Sequence, residues 1–184
     1  RYTLSSEEVL ECARYAFEHQ YGSIVIQAGE RCDAGYTSRI TELLKEIKRI
    51  SGGKLGITLS LGEQSEEVYR DWFKAGGHRY LLRIESSKQA LYNRIHPNND
   101  RHSFEIRVNA LHNIRKSGFQ LGTGVMIGLP GQTTEDLAAD LLFLRELDVD
   151  MVGMGPYVEH RDTPLYAGKD LLVSRQQRLD LAFK

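Results

Sequence analysis

The sequence has few cysteines: only Cys12 and Cys32 occur among its 184 residues. Two cysteines exclude a framework of several disulfides, and they are too few for a metal site made wholly of this chain's thiolates. The sequence also lacks an apolar run of the roughly 18 residues that a membrane helix needs, and its first residues contain no apolar signal-peptide core. We therefore expect a cytoplasmic protein with no membrane segment.

The sequence has no excess of charge of either sign. It contains 24 lysines and arginines against 25 aspartates and glutamates, a formal net charge of -1 at pH 7. Nucleic acids and anionic membranes attract proteins through an excess of positive charge, so we expect neither as the main partner. The length fits one domain at roughly 150 residues per domain, so we expect a single domain over residues 1–184. Because the sequence starts at Arg1 and stops within a helical pattern, we expect it to be a piece of a longer protein.

Short apolar runs alternate with helical patterns along the whole chain. Serine or threonine precedes several helical patterns, and glycine often follows them. The pattern predicts strands at 23–27, 56–60, 79–84, 121–127 and 150–154, and helices at 5–22, 37–50, 65–76, 103–116 and after 133. The apolar stripe of the second helix is predicted to be core, and it comprises Ile40, Leu43, Leu44 and Ile47.

This alternation predicts an α/β fold with a parallel sheet, because each helix is the crossover that returns the chain to the same strand direction. Two architectures have such a sheet: a doubly wound fold, or an arc of a (β/α)8 TIM barrel, for which about 250 residues are typical. The dinucleotide-binding pattern G-x-G-x-x-G does not follow the first strand, and the phosphate-binding pattern G-x-x-x-x-G-K-[ST] is absent. Their absence favours the barrel arc.

Polar side chains lie in or just after the predicted strands, where both architectures bind ligands. A carboxylate at Glu30 or Glu85 could hold an ammonium group or a ribose hydroxyl. A guanidinium at Arg83 or Arg107 could pair bidentately with a carboxylate. This combination indicates an amino-acid-like, zwitterionic ligand.

Ordinary structural roles are the alternative for the same residues. Glu30 could face solvent, and Arg83 and Glu85 could form a plain ion pair. Cys12 lies near the apolar face of the first helix, so we expect a core thiol, and Cys32 lies near the predicted site without a second cysteine. Spacing alone therefore predicts a barrel-type enzyme with an amino-acid-like ligand.

Five segments, taken together and in order, resemble a known family. They are IQAGE at 26–30, TLSLGE at 58–63, YLLRIE at 80–85, GVMIGLPGQT at 124–133 and DMVGMGP at 150–156. These segments resemble the biotin-synthase-like radical SAM enzymes, and within them the branch of [FeFe]-hydrogenase maturases. The resemblance covers essentially the whole chain, and it implies a radical SAM fold of the (β/α)8 TIM-barrel type, here a central arc of parallel strands with crossover helices.

The resemblance implies a cofactor and a chemistry. Members of the family hold a 4Fe-4S cluster and use it to cleave S-adenosylmethionine (SAM) to a 5'-deoxyadenosyl radical. Gly29 and Glu30 match the family motif that receives the methionine amino group. Glu85 matches an acidic residue that contacts the ribose, and Arg107 matches the arginine that pairs with the methionine carboxylate.

Further matches concern the adenine and the substrate. Ile127 lies in the glycine-rich strand that the family places beside the adenine, and Met151 in the last strand would pack near it. Thr58, Ser60 and Arg83 would line the substrate cavity. The resemblance implies a small-molecule or organometallic substrate and allows other hydrogenase maturation proteins as partners.

One feature of the family is missing from this sequence. The cluster is held by a C-x3-C-x2-C loop, which is absent, and neither Cys12 nor Cys32 can replace it. We therefore expect the cluster ligands upstream of Arg1, no metal site within this chain, and residues that are stable only with the rest of the barrel. The alternatives are a methylornithine-synthase-like or biotin-synthase-like radical SAM enzyme, or a cluster-less barrel that binds SAM or an amino acid.

Overall fold

The computed structural model describes residues 3–97, 99–163 and 165. Their helices are α1 (Ser6–Glu18), α2 (Ala34–Ile50), α3 (Glu66–Lys74), α4 (Gln89–Ile95), α5 (Phe104–Lys116) and α6 (Thr134–Glu146). Their strands are β1 (Ser23–Gln27), β2 (Gly56–Ser60), β3 (Arg79–Leu81), β4 (Gln120–Ile127) and β5 (Met151–Pro156). None of these helices is both long enough and apolar enough to cross a membrane.

The strands follow one another in a sheet of order β1-β2-β3-β4-β5. β1 pairs with β2, β2 with β3 and β4 with β5, each in parallel. Sequence order equals sheet order because each strand returns to the sheet beside its predecessor through a crossover that contains a helix. The predicted parallel α/β arrangement is confirmed.

The described residues group into two compact units. The first unit comprises the chain up to Leu82 together with Ala110–Leu121, and the second comprises Arg83–Asn109 together with the chain from Gly122 onward. The expectation of a single domain stays a prediction.

The core of the first unit is built on large aromatic side chains. Trp72 and Tyr80 are stacked with ring centroids 6.4 Å apart, and Tyr69 meets the edge of Tyr80 at 5.0 Å. All three rings are fully buried, and such pairs add stabilisation beyond the apolar area that they bury. The Trp72 indole donates a 3.1 Å hydrogen bond to the Thr37 carbonyl and so fixes α3 against α2. The predicted core stripe of α2 is buried as expected, with Ile40, Leu43, Leu44 and Ile47 at most 5% exposed.

The loop after β2 is held by two buried tyrosine hydroxyls. The Tyr80 hydroxyl donates to the Gly62 carbonyl at 2.8 Å, and the Tyr69 hydroxyl donates to the same carbonyl at 3.3 Å while accepting from the Gln64 amide at 2.9 Å. Gly62 has a φ of +74°, and a Cβ at this position would collide with the side chain of Glu30. Only glycine therefore fits here without strain.

The third strand is shorter than its predicted range of 79–84. β3 ends at Leu81, because the Ile84 amide donates to the Thr123 hydroxyl at 3.1 Å instead of to a strand carbonyl. Glu85 then adopts a positive φ of 62°, which no extended strand allows. The chain regains a single parallel bridge at Glu85 and Val125.

The first helix also differs from its prediction. α1 ends at Glu18 and not near Gly22, because Gln20 has a φ of 59° and so leaves the helical region. Cys12, predicted to be a core thiol, is exposed. The buried residues of α1 are Ala13 and Ala16, and Cys12 precedes Ala13 by one position, about 100° around the helix.

Two further helices depart from the sequence pattern. α2 begins at Ala34, three residues before the predicted start, because the Asp33 carboxylate accepts from the Tyr36 amide at 3.0 Å and caps the helix. α4 was not predicted. It has seven residues, and Lys88 at its start makes no side-chain cap, so neither its length nor its first residue marks it in the sequence.

We expect Gly62→Ala to lower the free energy of unfolding of the intact protein by about 1–2 kcal/mol, because a left-handed φ costs a residue with a Cβ that much. Gly22→Ala is the matched control, since its Cβ would meet nothing within 4 Å and its φ is not in the left-handed region. Urea denaturation, monitored by circular dichroism, measures the free energy of unfolding of both variants. Equal free energies for the two variants would contradict the strained geometry assigned to Gly62.

Candidate functional site

The predicted site residues divide between the two units. The first unit holds Gly29, Glu30, Thr58 and Ser60. The second unit holds Arg83, Glu85, Arg107, Ile127 and Met151.

In the first unit, Glu30 follows β1 and lies directly against Gly62, in the loop after β2. The two loops are joined through Gln64, whose Nε2 donates to the Arg31 carbonyl at 2.8 Å and to the Leu61 carbonyl at 3.2 Å. The Ala28 amide adds a 3.3 Å bond to the Ser60 carbonyl. The structure therefore brings Glu30 onto the residues that follow β2.

Side chains beyond Glu30 fix the loop after β1. The Arg31 guanidinium pairs with Asp33 at 2.8 Å and lies 5.0 Å above the ring of Tyr36. The hydrogen bond from the Tyr36 amide, followed by that from Arg31, lowers the pKa of Asp33. On β2, Thr58 and Ser60 are two positions apart and so share one face of the strand, with Thr58 buried and Ser60 half-buried.

In the second unit, Glu85 is the central residue of a three-residue turn. The Ser86 amide donates to the Ile84 carbonyl at 2.8 Å across Glu85, whose φ is 62°. The turn is fixed to β4, since the Glu85 amide donates to the Gly124 carbonyl at 2.9 Å and the Glu85 carbonyl accepts from the Met126 amide at 3.0 Å. A non-glycine residue at positive φ is uncommon, and such outliers concentrate at binding and catalytic sites.

The Glu85 carboxylate forms a bidentate pair with Arg83. Nε of Arg83 lies 2.7 Å from Oε1, Nη2 lies 3.0 Å from Oε2, and Nη2 also donates to the Val125 carbonyl at 3.1 Å. The ion-pair interpretation of these two residues is thus confirmed. A carboxylate has about four acceptor positions and Arg83 occupies two, so the pair leaves capacity for a ligand hydroxyl.

Arg107 lies one turn into α5 and is only 6% exposed. Its Nη1 donates to the Arg83 carbonyl at 3.0 Å, which fixes the backbone two residues before Glu85. The structure therefore brings Arg83, Glu85 and Arg107 together through direct hydrogen bonds. A carboxylate and two guanidinium groups connected by these hydrogen bonds suit a zwitterion or a sugar hydroxyl.

β4 and β5 approach each other at a pair of glycines. A Cβ at Gly124 would collide with the carbonyl of Gly153, and a Cβ at Gly153 would lie 3.1 Å from Nη1 of Arg83. Side chains at either position would displace β5 or the Arg83 guanidinium. The two glycines therefore leave room for the ion pair beside the strands.

The register of β4 and β5 separates Ile127 from Met151. Met151 pairs with Gly122 and Ile127 pairs with Pro156, so the two predicted adenine contacts stand five positions apart, about 16 Å along the strands. Ile127, at the end of β4, is buried, whereas Met151 begins β5. The structure does not bring these two residues together, and the role of Met151 stays a prediction.

Sequence reasoning gave no role to Gln132, which holds the loop after β4. Its Oε1 accepts from the amides of Gly128 and Leu129 at 2.6 and 3.1 Å, and its Nε2 donates to the Met126 carbonyl at 3.0 Å. Glycine and proline in the segment 128–131 indicated a turn, but not which side chain fixes it.

In the part of the chain that the structure describes, no three histidine, cysteine, aspartate or glutamate residues are grouped so as to hold a metal ion. A 4Fe-4S cluster therefore does not fit these residues. The donors and acceptors around Glu85 do fit the polar groups of SAM, which are an ammonium, a carboxylate and ribose hydroxyls.

Comparison with known proteins gives a consistent result. The model of the radical SAM superfamily matches residues 1–144. The chain is 45% identical to the [FeFe] hydrogenase maturase subunit HydE of Thermotoga maritima over 166 residues, which cover 90% of this chain and 45% of that protein. It is 30% identical to biotin synthase of Halalkalibacterium halodurans, covering 94% of this chain and 53% of that protein. The chain thus spans about half the length of these relatives.

Solved structures share the fold. Methylornithine synthase (PylB) matches with a TM-score of 0.79 at 25% identity, over 92% of this chain and 49% of that one. HydG, a maturase of the [FeFe]-hydrogenase, matches with a TM-score of 0.76 at 19% identity, over 100% of this chain and 43% of that one. These matches confirm the predicted radical SAM fold of parallel strands and crossover helices.

The positive φ at Glu85 predicts that glycine is more stable than alanine at this position, which is the reverse of their order within a helix. We expect Glu85→Gly to have a free energy of unfolding about 1 kcal/mol higher than Glu85→Ala, because glycine adopts a positive φ at no steric cost. Both variants lack the carboxylate, so their difference isolates the backbone. Glu42, exposed within α2, is the matched control, where alanine is expected to be the more stable. Denaturation in urea measures the four variants; the same order at both positions would refute the assigned turn.

Proposed function

The chain belongs to the radical SAM superfamily, and on this basis we propose that the whole protein is a radical SAM enzyme of [FeFe]-hydrogenase maturation. The sequence identity to HydE is the main support for the proposed role in hydrogenase maturation. The turn at Glu85 supports the cofactor site, because the Arg83 guanidinium donates to the Glu85 carboxylate and the Arg107 guanidinium donates to the Arg83 carbonyl. The proposed reaction is SAM cleavage during assembly of the di-iron subcluster.

In the proposed site, Glu85 accepts a hydrogen bond from a ribose hydroxyl of SAM. This role is supported by the acceptor positions of the Glu85 carboxylate that the bidentate contact with Arg83 does not use. Arg107 binds the methionine carboxylate, and Gly29 and Glu30 receive the methionine amino group. Ile127, buried at the end of β4, contributes to the adenine surface.

The proposed substrate contacts are Thr58, Ser60 and Arg83. Thr58 and Ser60 present two hydroxyl groups on one face of β2, which can hydrogen bond to a small polar ligand. Arg83 is already held by Glu85, so its guanidinium can bind an anionic group without ordering a flexible side chain. A small-molecule or organometallic substrate with carboxylate or cyanide groups suits this set.

The cofactor SAM, when reduced by an electron from a 4Fe-4S cluster, supplies a 5'-deoxyadenosyl radical. We propose that the cluster ligands lie upstream of Arg1, and that residues 1–184 are the central portion of a single barrel domain. Other hydrogenase maturation proteins are the proposed partners. We also propose a cytoplasmic location, which the similarity to HydE supports.

The second candidate is a methylornithine-synthase-like or biotin-synthase-like activity, which the structural match to methylornithine synthase favours. Deletion of the gene in its host separates the candidates. We expect the deletion strain to lose [FeFe]-hydrogenase activity and to recover it when the gene is restored. Full hydrogenase activity in the deletion strain, with a new requirement for biotin or pyrrolysine, would favour the second candidate.

Substitutions in the proposed SAM site are expected to act on affinity. In the intact protein, Glu85→Gln and Arg107→Ala should each weaken SAM binding about tenfold, because each removes a charge-assisted hydrogen bond. Isothermal titration calorimetry measures the affinity, and the ultraviolet-visible spectrum of the iron-sulfur cluster should not change. Glu135→Gln and Arg145→Ala, both exposed on α6, are the matched controls. Unchanged affinity in both site variants would refute these roles.

A further inference from the structure

We propose that Asp140, a fully buried aspartate on α6, is a positioning residue that holds the Glu85 turn in the geometry that binds SAM. This inference rests on the function proposed above. Asp140 is 0% exposed and stands between Leu137 and Leu144, where a helix normally presents apolar side chains to the core.

The strongest contacts of Asp140 go to Ser87, two residues after Glu85. Its Oδ1 accepts from both the amide and the hydroxyl of Ser87, each at 2.6 Å. These distances are short for hydrogen bonds and suit a charged acceptor. The position of Ser87, and with it the exit of the turn, is therefore fixed from α6.

A second carboxylate of α6, that of Asp136, pairs with Lys88, the residue after Ser87. Asp136 lies four positions before Asp140, on the same face of α6, and its Oδ1 is 2.7 Å from Nζ of Lys88. Both carboxylates are buried, Asp136 at 7% exposure. Two buried carboxylates on one helix face thus hold two consecutive residues of the segment that follows Glu85.

On its other side, Asp140 reaches the loop after β4. Its Oδ2 lies 3.5 Å from Nε2 of Gln132, a longer and weaker contact than those to Ser87. Gln132 donates to the Met126 carbonyl, and the Met126 amide donates to the Glu85 carbonyl. The contacts therefore close a ring from Glu85 through Ser87, Asp140, Gln132 and Met126 back to Glu85.

A structural reason for this ring lies in the backbone of Glu85. A residue at positive φ keeps its conformation only when its surroundings fix it at several points. Burial raises the pKa of Asp140, so a buried aspartate here costs stability in its charged form, in which it accepts best. A contact that orients a ligand-binding carboxylate explains why an acidic group, and not a leucine, occupies this position.

The test compares Asp140→Leu, Asp140→Asn and Leu144→Ala in the intact protein. Leu144 is buried on the same helix, so its truncation destabilises α6 without removing a hydrogen bond. We expect Asp140→Leu to weaken SAM binding about tenfold, and Asp140→Asn, which keeps an acceptor oxygen for Ser87, to stay within about threefold of the native protein. Leu144→Ala should bind SAM like the native protein. Equal affinities for Asp140→Leu and Leu144→Ala would overturn the proposal.

A second measurement does not depend on SAM. Amide hydrogen exchange without the cofactor should be about tenfold faster at Ser87 in Asp140→Leu than in Leu144→Ala, and equal rates would also overturn the proposal. If native protein does not bind SAM, the proposed function fails, and the exchange rates still decide whether Asp140 holds the turn. If Asp140→Leu does not fold, Ser87→Ala replaces it, with an expected loss of about threefold in affinity and unchanged affinity as the contrary result.

Discussion

The second unit depends on one backbone constraint, the hydrogen bonding of Glu85 to β4 at a positive φ. The Glu85 amide donates to the Gly124 carbonyl, and the Glu85 carbonyl accepts from the Met126 amide. These two bonds fix the backbone of Glu85 and with it the direction in which its side chain leaves the backbone. The bidentate bond to Arg83 follows from that direction, and the bond from Arg107 to the Arg83 carbonyl follows from the position of Arg83. A proposed site built this way is rigid before a ligand arrives, which lowers the entropic cost of binding.

The first unit also has a backbone turn at positive φ, which is formed by a glycine and held by buried aromatic residues. Gly62 gives the loop after β2 its left-handed turn, and the hydroxyls of Tyr69 and Tyr80 hold its carbonyl. Those hydroxyls belong to buried rings of the aromatic core, so these hydrogen bonds anchor the loop to the core. In each unit, polar residues after a strand are positioned by groups buried beneath them, as is usual for binding loops on a rigid scaffold.

The parts of the fold that depend on local pattern were predictable from the sequence. The strands β1 and β2 and the buried stripe of α2 follow from runs and periods that neighbouring residues set. Arg83 and Glu85 could be identified as a candidate pair because a spacing of two puts both side chains on one face of an extended strand, and the pair forms although β3 ends at Leu81. The turn at Glu85 and the role of Asp140 could not, because they depend on contacts to residues 39 and 53 positions away. The prediction that Cys12 is buried was wrong because one position along a helix turns the side chain by about 100°, which is enough to move it off the buried face.

The most direct test of the central claim is an electron paramagnetic resonance spectrum of the intact, anaerobically reconstituted and reduced protein, recorded with and without SAM. Iron and acid-labile sulfide are determined on the same sample. The account predicts the signal of a 4Fe-4S cluster, which shifts when SAM is added because the cofactor binds an open iron. A protein of confirmed full length that binds no cluster, or a signal that SAM does not change, would contradict the assignment as a radical SAM enzyme.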